Sequence, residues 1–126
     1  FWTVENKDDV KNKSKYLWTA GIRLPEFVNN KIFEWACKEV TNNKNMNTKK
    51  AKYIRIKEGM CVQCMHIGSF DDEPKTVTTM EKYIEENNWV NDINQERHHH
   101  EIYLSDYRKV EKGTLKTVLR IPVRRI

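Results

Sequence analysis

The chain lacks any long apolar run. Across its 126 residues no stretch approaches the ~18 consecutive apolar residues of a membrane-spanning helix, so no membrane partner is expected. No charged-then-apolar leader opens it, which gives export no support. It begins Phe1-Trp2 without a methionine, so its natural start is expected to be missing or processed. Cysteine is scarce: Cys37, Cys61 and Cys64 are an odd number with no framework spacing. That favours a reducing, cytoplasmic setting over a disulfide scaffold. There is no low-complexity tract and no clear internal repeat. No helix-turn-helix that would read DNA is visible.

What is present is polar but not disordered. Apolar residues make up 38% and charged residues 33% of the chain, yet it carries four Trp, five Tyr and four Phe. That is too many aromatics for a solvated tail. The length suits one domain with one core. The formal charge of +5 permits contact with nucleic acid without demanding it. Lys49, Lys50, Lys52, Arg55 and Lys57 cluster after a helix, but only Tyr53 is interleaved with them. A nucleic-acid surface needs more aromatic and base-reading groups than that, so nucleic acid is not an expected partner.

Periodicity gives the elements. Tyr16, Trp18, Ala20 and Ile22 alternate and predict a strand over 16–24. Phe27, Val28, Ile32, Trp35, Ala36 and Val40 recur at helical spacing and predict a helix from Pro25 to about Thr41. Residues 51–57 alternate again, Glu58-Gly59 reads as a turn, and 60–67 returns as the hairpin partner. Pro74 to Asn88 reads as a second helix, with Asp71 or Asp72 as cap and Val77, Met80, Tyr83 and Ile84 on one face. Residues 99–105 and 115–123 close the list as strands. Helices among hairpin-connected strands predict an α+β fold, an antiparallel sheet with helices packed on one face.

Several residues invite chemistry. Cys61 and Cys64 form a CxxC, but on a strand residues three apart point to opposite faces, so no metal is expected there. His66, His98, His99 and His100 lack the spacing of a zinc signature. Glu101 sits mid-strand, which disfavours the strand unless something uses it. With Ile102 and Leu104 toward the helices, Glu101 and Tyr103 would share the other face. There Glu101 either pairs with Lys116 or Arg120 across strands or serves a site.

The run Glu58 to Pro74 resembles a signature of the GyrI-like small-molecule-binding proteins. His99 to Asp106, followed by Leu115 to Pro122, resembles that family's C-terminal signature. Tyr16 to Val28 is similar to the strand and helix start that precede them, and Phe1-Trp2 to the end of an earlier strand. The resemblance implies a domain related to the effector-binding domains of multidrug-responsive transcription regulators. Its fold is two tandem strand-helix-strand-strand units with a ligand cleft between them. It also implies a pocket in which Glu101 stands beside Tyr103, with Trp2 and Trp18 as walls. Its ligand would be a small planar, cationic or amphipathic organic molecule, with no cofactor. A carboxylate among aromatic rings holds a cation by charge and by ring quadrupole. Some members open cyclopropane-bearing DNA-alkylating compounds, so a hydrolase with Glu101 as its catalytic group is the alternative. A protein-binding inhibitor of a topoisomerase is a third.

Three departures from the pattern stand out. Tyr107 replaces a Pro, Cys64 replaces a larger apolar residue, and the first unit's opening strand, helix and most of a further strand are absent. Residues 1–126 therefore read as a single domain, incomplete at its N-terminal side. Either an upstream segment or a homodimer is expected to supply the missing wall and to cover the apolar strand over 16–24.

Overall fold

The computed structural model describes Trp2–Thr3, Ser14 and Tyr16–Ile126. Its contacts divide the chain into two units, Phe1–Ala20 with Glu58–Ile126, and Gly21–Lys57. The fold is α+β, with antiparallel strands and two helices.

In the larger unit, strand β1 (Trp2–Thr3) pairs with β2 (Leu17–Trp18) in a two-stranded ribbon. The expected strand over 16–24 is thus only two residues long, with Trp18 72% exposed. The main sheet is built around β6 (Lys116–Arg125). Strand β3 (Cys61–Ile67) pairs with one edge of it, from Cys61↔Pro122 to Ile67↔Lys116. Along the other edge lie β5 (His100–Tyr103) and β4 (Trp89–Asn91), each antiparallel to β6. The expected hairpin between 51–57 and 60–67 does not form; residues 51–57 take no regular structure. Strand β4 was not anticipated, because three residues cannot display a period.

Helix α2 (Glu73–Glu86) lies on one face of this sheet. Pro74 stands in its first turn, where a missing N–H costs nothing and φ is preset. It ends as Asn88 turns to φ +56°. Met80 and Ile84 pack on Leu119, Ile121 and Val123, with Val62, Cys64, Val77 and Trp89 closing around them. Alternation along β6 therefore decides the layering: odd-numbered residues meet α2, even-numbered ones face away.

In the smaller unit, helix α1 (Asn30–Lys44) starts five residues after the expected Pro25. Pro25 opens a turn instead, closed by Val28 N–H to its carbonyl at 3.0 Å. Asn29, extended at φ −115°, caps the helix by accepting from Ile32 N–H at 3.1 Å. An N-cap side chain satisfies a first-turn donor, which a proline cannot do. The Tyr53 hydroxyl donates to the Val28 carbonyl at 3.0 Å, and its ring meets Phe33 at 5.9 Å. The lone aromatic of the basic cluster is thus spent on holding the helix entrance.

Candidate functional site

Register places the candidate residues before any contact is considered. Glu101 is the partner of Leu119 and Tyr103 the partner of Thr117. Paired residues share a face, so Glu101 and Tyr103 point to the α2 side, opposite to the expected orientation. The expectation turned on Ile102 and Leu104 as the inward pair. Instead Leu119, inward because it packs on α2, carries Glu101 with it.

Glu101 is shielded, its side chain 11% exposed. The Tyr103 hydroxyl donates to Glu101 Oε2 at 2.6 Å, and His99 Nε2 stands 3.8 Å from Oε1. Tyr103 is 60% exposed, so its ring opens to solvent while its hydroxyl turns to the carboxylate. Burial pushes the phenol well above its ordinary range, and the Glu101 hydrogen bond, the Glu101 charge and the Glu73 charge add to the push. The phenol therefore acts as a donor that fixes the carboxylate. Phe70, on the short 3₁₀ turn before α2, meets the Tyr103 ring edge-on at 5.5 Å. Sequence reasoning missed Phe70, which reads as loop. The signal was the capping stretch Ser69 to Asp72, which winds the chain and turns Phe70 toward β5.

The proposed walls divide differently. Trp18 sits on the β1–β2 ribbon as the register partner of Trp2. Trp2 is described by its backbone alone, and Phe1 lies outside the described residues. Of the described rings, Tyr103 is hydrogen-bonded to Glu101 and Phe70 packs edge-on against Tyr103.

Arg120, the cross-strand cation considered for Glu101, faces the other way. It donates to Glu58 Oε2 at 2.8 Å and to Gln63 Oε1 at 2.9 Å. His100 Nδ1 meets Glu58 Oε1 on that same face. Burial opposes ionisation of Glu58, but the Arg120 and His100 hydrogen bonds and charges outweigh it and hold the carboxyl below its ordinary range. His66 belongs to the α2 face, 2.8 Å from the Thr76 hydroxyl and 2.8 Å from the Ser69 carbonyl. A carbonyl only accepts, so Nε2 carries a hydrogen and is committed to Ser69. His66 and His100 thus lie on opposite faces. Cys61 pairs with Pro122 and Cys64 with Leu119, so the two thiols also lie on opposite faces. No group of three metal-ligating side chains occurs among the described residues, and no helix among them is long and apolar enough to cross a membrane.

A groove of about 510 Å³ runs between β3 and α2, lined by Val62, Cys64, Thr79, Met80, Tyr83 and Trp89. That volume would hold a small organic molecule, but no ionisable carboxylate lines it.

Comparison with known proteins places this arrangement. A crystal structure of an uncharacterized conserved protein from Listeria innocua is 42% identical, with a TM-score of 0.93, covering 98% of this chain and 61% of that one. The crystal structure of a hydrolase from Listeria innocua is 38% identical, with a TM-score of 0.88, covering 98% and 60%. Another hydrolase structure from that organism is 40% identical, with a TM-score of 0.87 and the same coverage. The chain thus spans about three fifths of the length of these structures. No curated protein matches. The GyrI-like small molecule binding domain matches residues 7–124, and with that span the chain belongs to the GyrI-like small-molecule-binding family.

Proposed function

We propose that the chain binds a small planar, cationic or amphipathic organic molecule against Glu101, Tyr103 and Phe70. The observation that carries this reading is the shielded Glu101 carboxylate fixed by the Tyr103 hydroxyl. A carboxylate out of bulk water attracts a cation more strongly than an exposed one, and neighbouring ring faces add a quadrupole attraction. Fixing the carboxylate beforehand removes part of the ordering cost of binding. The molecule's charge would meet Glu101 while its flat face covers the rings.

Titration with two tricyclic cations, proflavine and acridine orange, tests the reading. Glu101→Gln keeps the shape and removes the charge. Loss of one charge-assisted contact weakens binding by roughly 1.5–3 kcal/mol, tenfold or more. Equal affinities in both proteins would remove Glu101 from the site.

A second reading is favoured by the two Listeria innocua structures described as hydrolases. In it the same pocket opens a strained cyclopropane conjugated to a carbonyl. Glu101 takes a proton from a water, the water oxygen bonds to a ring carbon, and the breaking C–C bond passes its electrons toward the carbonyl, whose enolate takes the proton back from Glu101. Tyr103, held neutral, orients the carboxylate. Incubation with a cyclopropane-bearing alkylating compound then yields a product heavier by one water. Glu101→Gln abolishes its formation; binding without any such product leaves the first reading alone.

A further inference from the structure

Strand β6 carries an irregularity that the core does not require. The residues it and its approach send toward α2 are Leu115, Thr117, Leu119, Ile121 and Val123, all buried. Four are aliphatic and one is not. Thr117 is 1% exposed, and its hydroxyl has no hydrogen-bond partner among the described residues. Valine has almost the same shape and would fill the position without a polar atom. A buried hydroxyl left unmade is costly, and a local rule broken without a packing gain is a mark of a functional position.

The position is informative. Thr117 is the register partner of Tyr103 on one side and of His66 on the other. It lies one row along the same sheet face from the Leu119–Glu101 pair. His66 is committed to Ser69 and Thr76, and the Tyr103 hydroxyl to Glu101. Neither flanking group is spent on Thr117. Tyr103, its register partner on the β5 side, is mostly open to solvent and is hydrogen-bonded to Glu101, so Thr117 borders the Glu101 site.

We propose that Thr117 is a specificity-determining residue of the Glu101–Tyr103 site, its hydroxyl hydrogen-bonding a polar atom of the bound molecule. The inference rests on the reading of that site as ligand-binding. It narrows the ligand class to planar cations that carry an N–H, O–H or carbonyl group beside the charged ring. A fully alkylated cation would satisfy Glu101 and leave Thr117 unmet.

Proflavine and acridine orange share a tricyclic cation, but only proflavine keeps N–H donors on its outer amines. Their affinities are measured for the wild-type chain and for the Thr117→Val, Thr117→Ala, Thr117→Ser and Glu101→Gln variants, with thermal unfolding alongside. Thr117→Val is expected to lose roughly two- to tenfold in proflavine affinity, to bind acridine orange as before, and to melt no lower than wild type. Thr117→Ser restores the preference. Thr117→Ala, which removes the hydroxyl at the cost of a small void, must show the same loss of selectivity should the valine variant fold poorly. Unchanged selectivity in both hydroxyl-free variants, with Glu101→Gln still weak for both dyes, overturns the role of Thr117 and leaves the site intact. If Glu101→Gln changes neither dye, or neither dye binds wild type, the reading of the site falls and the inference with it.

Discussion

Tyr103 is where a single residue says most about this molecule. Its hydroxyl is tied to Glu101 at 2.6 Å, and burial with two nearby carboxylates raises its pKa above the ordinary value of 10.0. A raised pKa in the folded state favours the protonated form there. The stability it contributes is complete below the ordinary tyrosine value and is lost as pH rises through the folded one. The difference in tyrosinate absorbance between wild type and Tyr103→Phe isolates this residue from the other tyrosines. That difference should stay small at pH 10 and appear only in more alkaline solution. Glu101→Gln should draw it back toward the ordinary range; a titration indifferent to that change would mean that the carboxylate does not hold the phenol. The pair was legible in the sequence, since Glu101 in mid-strand and Tyr103 two residues on demand a shared face. Which face was not legible. That depended on Leu119 across the ladder, and period-two alternation fixes relative sides but never which side is inside.

Among the elements, the connection between β4 and β5 is tied to the rest of the sheet chiefly through Arg97. Arg97 donates to the carbonyls of Glu58 and Met60, each at 2.8 Å, to the Val123 carbonyl at 3.3 Å, and to the Asp92 carboxylate. It thereby joins the loop, the approach to β3 and the far end of β6. Gly59 accommodates this: its φ is +66°, and a Cβ there would lie 3.1 Å from Arg97 Nη2. Arg97→Ala leaves the half-buried Asp92 with Arg124 alone and removes a donor from three carbonyls, so urea unfolding should report a loss of about 2–4 kcal/mol. Arg97→Lys should recover only part, because an ammonium cannot span the fork. A loss under half a kilocalorie would show that the loop holds itself. The helices were readable because each runs for several turns and its apolar stripe repeats. Residues 51–57 misled for the opposite reason. Their short alternation satisfies a strand pattern, but Tyr53 is anchored to Val28 at the entrance of α1, and among the described strands β3 pairs with β6 alone.

At the scale of the whole chain, the α+β class and the antiparallel sheet followed from the sequence, while the pairing order did not. Adjacent strands usually pair, so a hairpin before Met60 was the natural expectation. The sheet instead routes every long-range pairing through β6: among the described strands β3, β4 and β5 each pair with it and none with another. That has a consequence for the order of events during synthesis. Strand β6 follows its three partners in the chain, so they emerge from the ribosome with nothing to pair against. The apolar residues of β3 and α2 remain uncovered until Leu119, Ile121 and Val123 have been added. Folding of the sheet is then a late event that waits on β6, and its β3–β6 pairing closes a long loop from Cys61 to Pro122, while β5 and β6 are near neighbours in the chain. Chains arrested after Gly113 should exchange the amides of β3 and β5 freely in deuterated buffer, whereas the chain through Ile126 should protect them together. Protection of β3 in the arrested chain would mean that another partner holds it first. Until β6 arrives, α2 and strands β3, β4 and β5 have no sheet to join, and it is in that interval, before any ligand could bind, that the nascent protein is most exposed to chaperones and to aggregation.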